Sequence, residues 1–196
     1  MIMLAKVVSY GGNSVRYVLE KENAKTVKVN NMPDGLDPTA IWYMMKHHCQ
    51  YHQAERTVGR KLERFMTTFV LSPSKEESAN FTMEDWVNLQ DEALGVLDSV
   101  GLSPNGISNE IKTNFTNSMN VGGLHSDSKS GTLHLHIDCC RVDMEGNTNS
   151  SSGNEGCGNH QDAAWLGTTA GNSEYAESGA CGRLRTYSQR YATVQH

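Results

Sequence analysis

Apolar and polar positions alternate most sharply in Thr132–Val142, which reads Thr-Leu-His-Leu-His-Ile-Asp-Cys-Cys-Arg-Val. Successive side chains of a strand point to opposite faces, so Leu133, Leu135 and Ile137 share one face while His134 and His136 share the other. A central strand is predicted in Glu63–Leu71, where Phe65 to Leu71 are rich in β-branched and aromatic residues. Met1–Ser9 reads as a short apolar strand, and a further strand is expected around Thr113–Val121. Helical patterns lie between these. Gly11-Gly12-Asn13-Ser14 forms a break in which Asn13 or Ser14 caps a helix over Val15–Glu22. Asn30–Asp37 is turn-rich, and Asp37-Pro38 opens a helix to about Gln53 with the proline in its first turn. Thr82-Met83-Glu84-Asp85 has the form of a helix cap. The helix it opens runs to about Val100 and keeps Trp86, Leu89, Ala93, Val96 and Leu97 on one face. The expected fold class is α+β: an antiparallel sheet of about five strands with helices packed on one face.

The pattern fails after about Asn147. From Ser150 to His196 only Leu166, Leu184 and Val194 represent Ile, Leu or Val, against seven glycines. A segment of that composition cannot bury enough apolar surface to offset its ordering entropy. The expected organisation is one domain over 1–147 and an irregular Gly-rich tail over 148–196, disordered or loosely docked.

A chain of 196 residues is long enough for one well-formed core. Its apolar stretches fall far short of membrane-spanning length and its first ten residues are too short for a signal peptide, so a soluble cytoplasmic protein with no membrane partner is expected. Five cysteines without a C-x-x-C spacing point to reduced thiols. The net charge of −5 hides an asymmetry. Residues 1–75 carry eleven Lys and Arg against six Asp and Glu, and residues 76–196 carry six against sixteen. A basic half that could follow a phosphate backbone therefore coexists with an acidic remainder.

The histidine pair changes the picture most. Two imidazoles on one strand face can share a metal ion, and a third, His125, stands nine residues upstream of His134 in His125-Ser126-Asp127. The turn-rich Ser128–Gly131 could return it beside the pair, giving three nitrogen ligands and open positions, the layout of a catalytic metal. Asp127 could accept the second N–H of a ligand. His47, His48 and His52 lie on the second predicted helix without acidic companions and read as a solvated or nucleic-acid-facing surface. A metal of this kind polarises a carbonyl or phosphoryl oxygen and needs a nucleophile. Tyr17, between Arg16 and Lys21 after the glycine break, is one candidate, with Tyr10 as a nearby competitor.

Taken together, the His-Leu-His strand, the upstream His-x-Asp and the tyrosine of the N-terminal element resemble the relaxase/mobilisation nuclease family. These are HUH-type endonucleases acting on the single-stranded DNA of mobilisable elements. Arg141-Val142-Asp143-Met144-Glu145-Gly146 is similar to the family's strand exit, Arg-Val-Asp-x-x-Gly, and the likeness covers roughly residues 1–147. It implies an HUH/relaxase-like fold in which Tyr17 attacks a phosphodiester at a transfer origin and keeps the 5′ phosphate as phosphotyrosine. It further implies that His125, His134 and His136 hold Mg²⁺ or Mn²⁺, with Asp127 orienting a ligand or the tyrosine. Single-stranded DNA would be held by Arg16, Lys21 and Arg141 and by stacking on Tyr43 or Trp42, with accessory mobilisation proteins as further partners. Three features depart from the pattern: Cys140 in place of a frequent asparagine, Asp138 in place of an apolar residue, and a Gly-rich tail in place of a basic helix. Two other readings stay open. One is a replication-initiator or transposase-type nuclease using Tyr175, Tyr187 or Tyr191; the other is a non-catalytic metal- or DNA-binding remnant.

Overall fold

The computed structural model describes residues 2–8, 11–54, 62–100, 113–128, 131–149 and 163–166. In chain order these form β1 (Ile2–Val8), α1 (Gly11–Glu20), β2 (Lys25–Asn30), α2 (Pro38–Ala54), β3 (Met66–Ser72), α3 (Lys75–Ser78), α4 (Met83–Val100), β4 (Ser118–His125), β5 (His134–Asp143) and β6 (Ala163–Leu166). The strands make one sheet in the order β2-β4-β5-β3-β1-β6, and every neighbouring pair is antiparallel. The histidine strand β5 is central, between β4 and β3.

Alternation along β5 sorts the core into two layers. Leu135, Ile137 and Cys139 pack with Phe69, Leu71 and Leu124 against Trp86, Leu89 and Leu97 of α4. On the other face Cys140, Met66 and Val121 meet Val15 of α1 and Ile41, Met45 and Cys49 of α2. Helices therefore cover both faces, not the single face expected. The face bearing two histidines still has apolar residues farther along, and these need their own cover.

Local signals account for the helix starts. Asp37 Oδ1 accepts the backbone N–H groups of Thr39 at 2.8 Å and Ala40 at 3.0 Å, capping α2 one residue before Pro38. Thr82 and Asp85 exchange bonds at the start of α4, Thr82 N to Asp85 Oδ2 at 2.7 Å and Asp85 N to Thr82 Oγ1 at 3.3 Å. Ser74 and Glu77 form a second capping box on the short α3, which the apolar pattern does not reveal.

Elsewhere the boundaries move. α1 begins at Gly11, so Asn13 and Ser14 lie within it. Gly12 faces the Trp42 ring, which leaves little room for a side chain, and Ser14 donates inward to Asp138 Oδ1 at 3.0 Å instead of capping. β2 carries two lysines and a register shift between Thr26 and Lys28, which blur its alternation, and it was not anticipated. β4 starts at Ser118 and runs through Gly122-Gly123 to His125, beyond the expected Val121. The tail contributes Ala163–Leu166, which pairs with Met3–Lys6, where no strand was expected. Among the described residues no helix is long and apolar enough to cross a membrane.

The two strand glycines are required by close approach. A Cβ on Gly122 would collide with the Gln90 side chain from α4, and one on Gly123 with the backbone carbonyl of Val18 from α1. The Gln90 amide could rotate aside; the Val18 carbonyl belongs to a helix and cannot. Gly123→Ala is accordingly expected to lift α1 and lower stability by about 1–3 kcal/mol, the usual range for overpacking. Gly122→Ala should cost less. Chemical denaturation of the two variants checks the order, and a Gly123→Ala protein as stable as wild type would refute the contact.

Candidate metal centre

The β4–β5 hairpin sets the histidines. His125 and His134 are direct partners across the ladder, and His136 lies opposite Gly123. All three therefore emerge on the α1 face of two adjacent strands. Their candidate ligand atoms all lie within 4.8 Å of one another. Nitrogens sharing one ion at about 2.1 Å sit no more than about 4.2 Å apart, so small side-chain rotations complete the set.

Hydrogen bonding leaves the lone pairs where an ion would need them. His125 Nε2 lies 3.0 Å from the carbonyl oxygen of Val18, one of the last carbonyls of α1 and without a partner in the helix. A carbonyl only accepts, so Nε2 carries the proton and the Nδ1 lone pair is left over. Nδ1 is buried and makes no hydrogen bond among the described residues, and the same holds for His136 Nε2. His134 Nδ1 lies 3.2 Å from the Thr132 carbonyl, which turns Nε2 toward Asp127 Oδ1, also at 3.2 Å. Three imidazole rings thus converge, with centroids 4.5, 5.0 and 5.7 Å apart. The group could hold a metal ion.

Burial favours the neutral form of two of the three rings. Burial lowers the pKa of His125, and burial together with the neighbouring His125 and His134 takes His136 down to about 3. Both keep their lone pairs throughout the neutral range. Lys21 and Asp127 form a close ion pair at the rim. Lys21 holds the Asp127 carboxyl below its usual range, and the Lys21 ammonium is raised by Asp127 first and Tyr17 second.

Tyr17 belongs to the same cluster. Its ring stands edge-on to His125 at 4.9 Å and to His136 at 5.2 Å between centroids. Lys21, one turn on, donates to the Tyr17 hydroxyl at 3.0 Å and lies 4.3 Å from the ring centroid. The phenol is 40% exposed, open to a large ligand.

The other expected residues fall variously. Arg16 precedes Tyr17 on α1, and its guanidinium donates to Thr39 Oγ1 of α2 at 3.1 Å. Arg141 is corrected: it is buried, and its guanidinium donates to the Arg64 carbonyl at 3.2 Å, so its charge serves a loop and not a DNA surface. Trp42 is only partly exposed and packs 6.3 Å from Phe65, whereas Tyr43 is open to solvent. His48 is spent on the Asp143 carbonyl at 2.7 Å. Tyr10, Tyr175, Tyr187 and Tyr191 lie outside the described residues. Three contributors escaped the sequence reading: the Val18 carbonyl, Gly123, and the Ser14–Thr68 pair holding Asp138. The adjacent glycines inside a strand were the one available signal, since glycine there marks close backbone approach.

The departures Asp138 and Cys140 are both fully buried on the histidine face. Cys140 Sγ lies 3.1 Å from Cys49 Sγ, both free thiols, tying β5 to α2. Asp138 Oδ1 accepts from Thr68 at 2.5 Å and Ser14 at 3.0 Å, while Oδ2 has no partner.

No protein-family model, no curated protein and no solved structure matches this chain.

Two measurements test the cluster. His136→Ala is expected to weaken Mn²⁺ binding about ten-fold or more in a calorimetric titration, because it removes one of three inner ligands. Equal affinity in wild type and variant would exclude the set. For Asp138, burial raises the carboxyl to about 6. A raised carboxyl binds its proton more tightly folded than unfolded, so its ionisation opposes folding. That cost is absent below about pH 4, grows as the pH rises to about 6, and is complete above. Asp138→Asn should raise stability near pH 7 by on the order of 2–3 kcal/mol and change little near pH 4. A gain independent of pH would contradict this account.

Proposed function

We propose that this chain is a metal-dependent endonuclease and strand transferase of the relaxase type, acting on single-stranded DNA at a transfer origin in the cytoplasm. The observation that carries the reading is the packing of Tyr17 against His125 and His136 with Lys21 on its hydroxyl. A nucleophile, a cation and a group of metal-binding nitrogens within one cluster match phosphoryl transfer better than a structural metal site, which would be closed by a fourth protein ligand. The HUH/relaxase likeness of the motifs points the same way.

The chain's own residues have definable tasks. The Tyr17 oxygen attacks phosphorus, forming an O–P bond as the bond to the 3′ oxygen breaks. The phenol proton leaves to solvent through the exposed side of the ring, and the departing 3′ oxygen takes a proton from water. Lys21 stays charged, so it does not remove the phenol proton; it meets the negative charge that develops on the attacking oxygen. Asp127 fixes Lys21 and faces His134, which makes it a positioning residue and not a base. A divalent ion on His125, His134 and His136, Mn²⁺ or Mg²⁺, would supply Lewis-acid polarisation of the scissile phosphate. Imidazole ligands favour Mn²⁺ over the harder Mg²⁺. The phosphotyrosine link retains a reactive phosphodiester for later rejoining, possible only because water is not the nucleophile. Accessory mobilisation proteins are the expected partners in locating the origin.

The test is covalent trapping. With Mn²⁺ and single-stranded oligonucleotides from the origin region of the element encoding it, wild type is expected to form an SDS-resistant adduct. Tyr17→Phe should form none while still binding Mn²⁺ with wild-type affinity. An adduct that persists in Tyr17→Phe would move the nucleophile elsewhere, and no adduct from metal-loaded wild type would refute the nuclease.

A further inference from the structure

The solvent face of α2 has no role in the chemistry above, yet its composition is unusual. Ile41, Met45 and Cys49 turn into the core, which fixes Tyr43, His47, Gln50, Tyr51 and Ala54 toward solvent. Tyr43 is 59% exposed and Tyr51 60%. The other exposed large apolar side chains among the described residues are Tyr17 and two isolated methionines, Met83 and Met144. From Pro38 to Ala54 the helix carries no acidic residue, but it carries Lys46 and three histidines.

We propose that this face is a track for single-stranded DNA leading away from Tyr17, with bases stacked on Tyr43 and Tyr51 and the phosphates passing Lys46 and His47. It rests on the nuclease reading and names where the substrate runs beyond the scissile bond.

Four observations support it. The track starts on the helix that α1 holds, because Arg16 of α1 is bonded to Thr39 in the first turn of α2. It is rigid, since His48 ties the far part of the helix to the Asp143 carbonyl. Tyr51 is backed by His52 at 5.1 Å, which in turn meets His48 at 4.6 Å, so the ring is held before any ligand arrives. Tyr43, His47 and Tyr51 recur every four residues, about 6 Å apart along the axis, close to two base-stacking rises of about 3.4 Å. Unpaired bases present their faces to such rings, whereas duplex bases are already stacked on one another. A protein partner is less well served, because the exposed positions between the tyrosines, His47 and Gln50, are polar instead of a continuous apolar surface.

Fluorescence anisotropy with two labelled probes tests this, one an oligothymidylate and the other an abasic phosphodiester of equal length. In Tyr43→Ala/Tyr51→Ala, affinity for oligothymidylate should fall about ten-fold or more and affinity for the abasic strand should hold, because only the bases lose a partner. Tyr43→Phe/Tyr51→Phe keeps the rings and should bind as wild type does. Unchanged oligothymidylate affinity in the alanine variant, or an equal loss on both probes, overturns the track. Covalent trapping separates the two ideas. An adduct together with affinity that ignores Tyr43 and Tyr51 sinks the track alone; ring-dependent affinity without any adduct sinks the nuclease alone. A wild type that binds neither probe sinks the track outright.

Discussion

The histidine cluster depends on one close contact, the seat of α1 against the backbone of β4 at Gly123. Because Gly123 has no side chain, the Val18 carbonyl can descend onto the strand and accept the Nε2–H of His125. That single bond satisfies an orphan carbonyl at a helix end, sets the tautomer of His125, and aims its free nitrogen at the other two histidines. The same descent lowers Tyr17 and Lys21 into the cluster. The position of the helix, the orientation of His125 and the placement of Tyr17 are therefore one variable.

The sheet supplies the rigidity that this arrangement needs. His134 and His136 stand on the strand with neighbours on both sides, and His125 is locked opposite His134 by the ladder. A one-residue slip would carry all of β5 to the wrong face, and the apolar residues on both faces forbid it. The cost is a run of polar groups on a buried strand. Two imidazole nitrogens, on β4 and β5, and one oxygen of Asp138 have no partner among the described residues. Unpaired buried polar atoms oppose folding, and their gathering on one face of two adjacent strands is the arrangement that a bound cation would stabilise.

Much of the architecture was legible because it rests on short-range chemistry. The caps at Asp37 and Thr82, the alternation of β5 and the strand at β3 depend on neighbours in sequence, and each appeared where its local pattern placed it. Less local features were not legible. β2 is an outer strand of the described sheet with lysines in its alternation, and its place is set by pairing with β4. Gly122 and Gly123 fell beyond the expected strand end at Val121 but lie inside β4, because what they accommodate, Gln90 and Val18, belongs to distant segments. Arg141 looked like a phosphate contact and proved to be buried against Arg64. A charge in sequence does not show which way its side chain points.

By itself the sequence determined that His134 and His136 share a strand face, that His125 could return beside them through a short turn, and that Tyr17 sits on an early helix. These follow from the two-residue period of a strand and from capping chemistry. Only the tertiary structure decided that α1 lies over the hairpin, that His125 donates to Val18, and that Lys21 joins Tyr17 to Asp127. The physical reason is that these contacts join residues about a hundred positions apart. They are chosen by the packing of a helix on a sheet, which no local pattern encodes.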